Sequence, residues 1–243
     1  MTVRALPVVA AIRPAGRSSR SASLARIAGA FFAALFLVAV GTPSTSRAAE
    51  SSPGAARSSG QPVLLVLGDS LSAEYGLARD SGWVKLLDAR LREQRYPYDI
   101  VNASISGETT SGGLSRIDEL LARVKPSVVV VELGGNDALR GLPLASTEAN
   151  LDQIVARSQK VHATVLLVGM QIPPNFGKAF ADRFAAVFTT VAKRRDTALT
   201  PFFFAGFADR FDLFQPDRIH PTAAAQARLL ENVWPDLKPL LKR

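Results

Sequence analysis

Val63-Leu64-Leu65-Val66-Leu67, followed at once by Gly68-Asp69-Ser70-Leu71-Ser72, is the stretch on which the fold turns. An unbroken apolar run of this length suits a strand covered on both faces. The glycine after it permits a tight turn, which leaves Ser70 at the carboxyl end of a buried strand, facing solvent. A nucleophile belongs there in an α/β fold. Gly-Asp-Ser is also an ordinary turn sequence, so at this point both readings stand.

Working outward, strand-like runs recur at 98–102, 128–133, 164–170 and 199–204. Val128-Val129-Val130-Val131 is β-branched throughout, as expected of a central strand. Between the runs lie helical stripes: Trp83, Val84, Leu87 and Leu91; Leu114, Ile117, Leu120 and Leu121; Leu151, Ile154 and Val155; Phe180, Phe184, Val187, Phe188 and Val191. Leu230, Val233, Trp234 and Leu237 make a terminal stripe, expected to bend near Pro235. Strand–helix alternation with short connections predicts an α/β fold with a parallel sheet between helices. In such folds the ligand crevice lies beyond the carboxyl ends of the strands.

Two further loops fall on that edge. One is Ala103-Ser104-Ile105-Ser106-Gly107-Glu108-Thr109-Thr110, the other Gly134-Gly135-Asn136-Asp137. Acyl transfer needs donors aimed at a developing oxyanion, and the Gly107 amide and the Asn136 side chain can supply them. Alone, each loop reads better as a polar turn. The chain has two histidines. His162 has no acid near it in sequence and reads as a strand-edge or surface residue. His220 lies in Asp217-Arg218-Ile219-His220-Pro221. An aspartate three residues before a histidine can turn its carboxylate back to the imidazole, giving an oriented base for Ser70. Pro221 would suit the first turn of a helix.

The formal charge of +8 is concentrated at one end. Six of the 29 basic residues lie in 1–48, which holds no acid, leaving 23 basic against 21 acidic residues beyond it. A near-neutral remainder without a basic stripe argues against nucleic acid as a partner. Residues 27–40 are uncharged and mostly apolar; as a helix they would span about 21 Å, short of the roughly 30 Å of a hydrocarbon core. They read as the core of an export signal, cut after Ala48, with an uncleaved anchor as the competing reading. Residues 49–61, rich in Ser, Gly and Ala, read as a flexible linker. Residues 62–243 then form one domain. There is no cysteine, which excludes disulfides, a thiolate nucleophile and cysteine metal sites. No Gly-x-Ser-x-Gly elbow, phosphate loop, dinucleotide loop or His-rich metal pattern is present.

These blocks resemble the SGNH (GDSL) hydrolase superfamily, most nearly its thioesterase I / protease I / lysophospholipase L1 group, which includes arylesterases. Four blocks carry the likeness in order: Gly-Asp-Ser-Leu-Ser at 68–72, Asn-Ala-Ser-Ile-Ser-Gly-Glu-Thr-Thr at 102–110, Val-Glu-Leu-Gly-Gly-Asn-Asp-Ala-Leu-Arg-Gly at 131–141 and Asp-x-x-His-Pro at 217–221. The resemblance implies a three-layer α/β/α flavodoxin-like fold with a central parallel sheet. It makes Ser70 the nucleophile, His220 the base and Asp217 its orienting acid. The Ser70 amide, Gly107 and Asn136 would form the oxyanion hole, and Leu139, Ile172 and Phe176 an acyl-chain groove, unless these are ordinary loop hydrophobes. Glu108 stands where close relatives often carry aspartate. The implied enzyme is a serine esterase or thioesterase acting on lysophospholipids, acyl thioesters or aryl esters. It would need no cofactor or metal, and would act as an exported, periplasmic or secreted monomer on a small-molecule or lipid ester. A polysaccharide O-deacetylase and a non-catalytic ligand-binding module on the same scaffold are the alternatives.

Overall fold

The computed structural model describes residues 60–243. The expected signal segment and nearly all of the expected linker lie outside the described residues. Five strands alternate with helices: β1 (Val63–Gly68), α1 (Trp83–Glu93), β2 (Asp99–Asn102), α2 (Thr110–Val124), β3 (Val128–Glu132), α3 (Gly135–Leu139), α4 (Leu144–Lys160), β4 (Thr164–Val168), α5 (Lys178–Arg195), β5 (Ala198–Thr200) and α6 (Gln226–Leu237). All pairings are parallel, in the order β2-β1-β3-β4-β5. That is the flavodoxin-like order, as the resemblance implied; the alternation by itself predicted a parallel sheet between helices.

The order follows from the apolar runs. Every residue of β3 is buried, as are five of the six in β1; strands this apolar need helices on both faces. α1 packs with α6, while α2 packs on α4 and α4 on α5, supplying two helical layers. The stripes read from the sequence face inward: Trp83, Leu87 and Leu91, then Ile117, Leu120 and Leu121, then Leu151, Ile154 and Val155, then Phe184, Phe188 and Val191 are all buried. Thr109 caps α2 by accepting the Gly112 amide, a bond of the kind that stabilises a helix by about 1 kcal/mol.

Two expectations are corrected. The run at 199–204 is strand only as far as Thr200. Pro201 has no amide to continue the ladder, and Phe203, Phe204 and Phe207 turn into an aromatic cluster with Phe214. Pro221 does not open a helix. It pairs with Phe214 in an antiparallel bridge, and α6 starts five residues later, at Gln226. The last helix contains Pro235 and runs on to Leu237 before tightening into a 3-10 turn at Lys238–Leu240.

Between β1 and β3 the strand order reverses, because the chain steps outward to β2 and then returns across β1. The crevice opens at the carboxyl ends of these two strands. The loops after β1, β2 and β3 all emerge there.

Candidate active site

Ser70 follows β1 by one residue beyond Asp69 and is 9% exposed. Its position is dictated by what lies beneath. A β-carbon on Gly68 would fall 2.8 Å from Ser72 Oγ and 2.9 Å from both Glu132 Oε2 and Ser104 Oγ, so only glycine fits at the end of the strand. Ser70 Oγ lies 2.8 Å from His220 Nε2. His220 Nδ1 lies 2.7 Å from Asp217 Oδ2. The carboxylate can only accept, so Nδ1 carries the proton and Nε2 presents its lone pair to the Ser70 hydroxyl. Those two contacts bring Ser70, His220 and Asp217 together.

Asp217 is held from two sides. Its Oδ1 accepts the amides of Ile219 at 2.9 Å and His220 at 3.0 Å. Burial acts to raise its pKa, yet the bonds from the His220 amide and imidazole and from Ile219 together hold it below the ordinary aspartate value. The carboxylate thus stays ionised opposite the imidazole. The turn that achieves this places Arg218 in the left-handed region, at φ 56°.

Asn136 is the second residue of α3, on the loop after β3. Its Nδ2 donates to Asp69 Oδ2 at 3.0 Å, which engages one amide hydrogen and leaves the second available. Asp69 Oδ1 also accepts the Leu71 amide at 3.0 Å, tightening the turn that carries Ser70. Gly107 sits in the loop after β2; its carbonyl accepts from Arg140 Nη2 at 2.8 Å, so the loops of the two expected oxyanion donors are tied together. Asp137 binds the second loop as well, accepting the Thr110 amide at 2.9 Å.

Sequence reasoning missed the buried carboxyls behind the nucleophile. Asp69 and Glu132 are each 2% exposed. Glu132 Oε2 accepts from Ser72 Oγ at 2.7 Å, and Ser72 Oγ in turn accepts from Trp83 Nε1 at 3.1 Å. Burial pushes Asp69 up to about 6, against the opposing bonds from Leu71 and Asn136. Burial, then the neighbouring Asp69 charge, raises Glu132 well above its ordinary value. A glutamate closing a run of four valines was the available signal, since an acid is seldom buried without a purpose.

The pair has a consequence for stability. Glu132 binds its proton more tightly folded than unfolded, so stability is greatest below its ordinary pKa of 4.5 and is lost as pH rises through the folded value. Glu132→Gln cannot ionise and keeps an acceptor for Ser72. Its stability relative to the native protein is expected to increase from about pH 5 to about pH 8, read from urea midpoints at the two pH values. A constant difference would show that Glu132 is not a buried titrating group.

Beside Ser70 lies a shallow cleft walled by Leu71, Tyr75, Leu77 and His220. Farther along the same edge, a groove of about 510 Å³ runs between Gln171 and Ile172 and the first turns of α5, at Lys178, Ala181 and Ala185. Ile172 lines it. Leu139, the last residue of α3 (38% exposed), and Phe176, in the 3-10 turn ahead of α5 (44% exposed), stand outside its walls. His162 is an exposed turn residue ahead of β4, away from the carboxyl edge.

Comparison with known proteins gives a consistent picture. Residues 66–228 match the model of the GDSL-like lipase/acylhydrolase family. Esterase TesA of Pseudomonas aeruginosa is 52% identical over 179 residues, covering 74% of this chain and 89% of that protein. Thioesterase 1/protease 1/lysophospholipase L1 of Escherichia coli K12 is 37% identical over 185 residues, covering 76% and 88%. Among solved structures, a crystal structure of TesA superposes with a TM-score of 0.73 at 51% identity, covering 74% of this chain and 99% of that one.

Proposed function

The chain belongs to the GDSL-like lipase/acylhydrolase family, and from that premise we propose that Ser70, His220 and Asp217 cleave carboxylic esters and thioesters through an acyl-enzyme. That it is an ester-hydrolysing enzyme follows from its relatives; the residues and steps are our reading. The observation that carries it is the unbroken line Ser70 Oγ–His220 Nε2 at 2.8 Å and His220 Nδ1–Asp217 Oδ2 at 2.7 Å.

As Ser70 Oγ attacks the carbonyl carbon, His220 Nε2 takes its proton, and the imidazolium formed is stabilised by Asp217. The carbonyl oxygen becomes an oxyanion. The Ser70 and Gly107 amides and the free amide hydrogen of Asn136 receive it, each such donor lowering the barrier by about 2.7–4 kcal/mol. Asp69 keeps that Asn136 hydrogen aimed by holding its partner. His220 then protonates the leaving alcohol or thiol. Water, deprotonated by the same imidazole, releases the acid and regenerates Ser70.

Lysophospholipids, acyl thioesters and aryl esters are the substrates proposed, acted on by a monomer. The groove beside Ile172 supports an acyl chain longer than acetyl. Ile172→Ala is expected to lower kcat/KM for an octanoyl aryl ester about ten- to a hundredfold while changing that for the acetyl ester little, at about 0.8 kcal/mol per buried methylene. Equal losses for both would count against a groove and for a short-acyl reading such as glycan deacetylation.

Export to the periplasm or beyond, with cleavage after Ala48, is part of the same proposal. It is supported by the arginine-bearing leader and its short apolar core. Among the described residues no helix is long and apolar enough to cross a membrane. N-terminal sequencing of the exported protein tests the cut. A panel of aryl, thio- and lysophospholipid esters, with fluorophosphonate labelling of Ser70, tests the activity. Absence of both turnover and labelling in folded protein would leave only a binding module.

A further inference from the structure

His220 and Ser70 are separated by 150 residues, and the covalent chain does nothing to hold them 2.8 Å apart. His220 belongs to a small hairpin. Its carbonyl accepts the Gln215 amide at 2.7 Å, the Thr222 amide donates to the Leu213 carbonyl at 2.8 Å, and Phe214 pairs with Pro221. Ser70 belongs to a separate turn, in which its own carbonyl accepts the Tyr75 amide at 3.2 Å.

One side chain joins the two. Gln215 Nε2 donates to the Tyr75 carbonyl at 2.9 Å and to the Pro221 carbonyl at 3.3 Å. Both partners are carbonyls, which fixes the amide with nitrogen toward them. Two residues therefore complete a hydrogen-bonded path, from the Ser70 carbonyl through Tyr75 and Gln215 to the His220 carbonyl. The Tyr75 ring lies against the imidazole, with centroids 4.4 Å apart.

The neighbouring glycine is shaped to this arrangement. Gly76 has φ +69°, and a β-carbon on it would fall 2.1 Å from Gln215 Oε1. The Gln215 amide occupies the space that a side chain at position 76 would fill. We infer that Gln215 is a positioning residue, holding the hairpin of the base against the turn of the nucleophile and so setting the Ser70–His220 separation and the rotation of the imidazole. The inference rests on the reading of those two residues as base and nucleophile.

Gln215→Glu keeps the shape and replaces the donor by an acceptor facing two carbonyls. Gln215→Ala removes the clamp while leaving the backbone bonds of the hairpin, and serves if the first variant folds poorly. Displacing a reacting pair by a fraction of an ångström to an ångström costs up to about a hundredfold. Both variants are expected to lose about ten- to a hundredfold in kcat on an aryl ester, with KM within about twofold. Because the chain has two histidines, selective ¹⁵N labelling of imidazole yields four ring signals, an Nδ1 and an Nε2 from each. Those of His220 should shift or broaden in both variants, while those of His162 stay as an internal reference. Unchanged His220 signals in a folded variant, or unchanged kcat, would overturn the inference. Failure of the native protein to hydrolyse any ester would instead refute the functional reading, and the imidazole signals would still decide whether Gln215 positions the ring.

Discussion

Ser70→Ala is expected to lower kcat for ester hydrolysis by about 10⁶-fold, the loss seen when a serine hydrolase is stripped of its nucleophile. Any remainder, about 10³–10⁴ over water, would come from substrate binding and the oxyanion donors. The exchange removes one hydroxyl at the edge of the cleft. The Asp217–His220 contact, the hairpin of the base and the bonds of Asp69 to Leu71 and Asn136 do not depend on it. The variant should therefore fold with an unfolding midpoint close to that of the native protein and fail to react with a fluorophosphonate. Retention of more than about one part in a hundred of the activity, in protein free of native enzyme, would exclude Ser70 as the nucleophile.

Asp217→Asn should cost about 10⁴-fold in kcat, for a reason specific to this turn. Oδ1 accepts two backbone amides, from Ile219 and His220. An asparagine satisfies both only by placing its carbonyl oxygen there, and its NH₂ then faces His220 Nδ1. That nitrogen must become an acceptor, so the proton moves to Nε2 and points at Ser70. The base is lost without a change of shape. Asp217→Ala should also destabilise, since it removes the acceptor for both amides, each worth about 0.5–1.5 kcal/mol net. The comparison separates the two functions of the carboxylate: kcat should fall in both variants, and the denaturation midpoint chiefly in the alanine one. An asparagine variant with native kcat would mean that the tautomer of His220 is set by something other than Asp217.

How much of this was legible beforehand depended on the range of the interactions. The valine run of β3 and the apolar run of β1 announce strands because a strand buried on both faces has few alternatives in composition. The Asp217–His220 pair was legible because its partners lie three residues apart and share one turn. Strand ends were less so. The phenylalanines at 202–204 satisfy strand propensity as well as an aromatic cluster, and Pro201, which stops the ladder, was the discriminating residue. Glu132 was missed although it closes a valine run, because its partner Ser72 is 60 residues away and nothing local says which polar group it meets.

From the sequence alone come the strand–helix alternation, the three loops with donor and nucleophile chemistry, and the pairing of Asp217 with His220, because each rests on local periodicity or a few adjacent residues. The tertiary structure alone decided that the order reverses between β1 and β3, that Asp69 holds Asn136, that Glu132 sits beneath the nucleophile turn, and that Gln215 spans to Tyr75 across 140 residues. Those contacts join segments remote along the chain. A hydrogen bond depends on distances of a few tenths of an ångström, which are set by packing of the whole sheet and its helices, and the types of the two residues do not encode them.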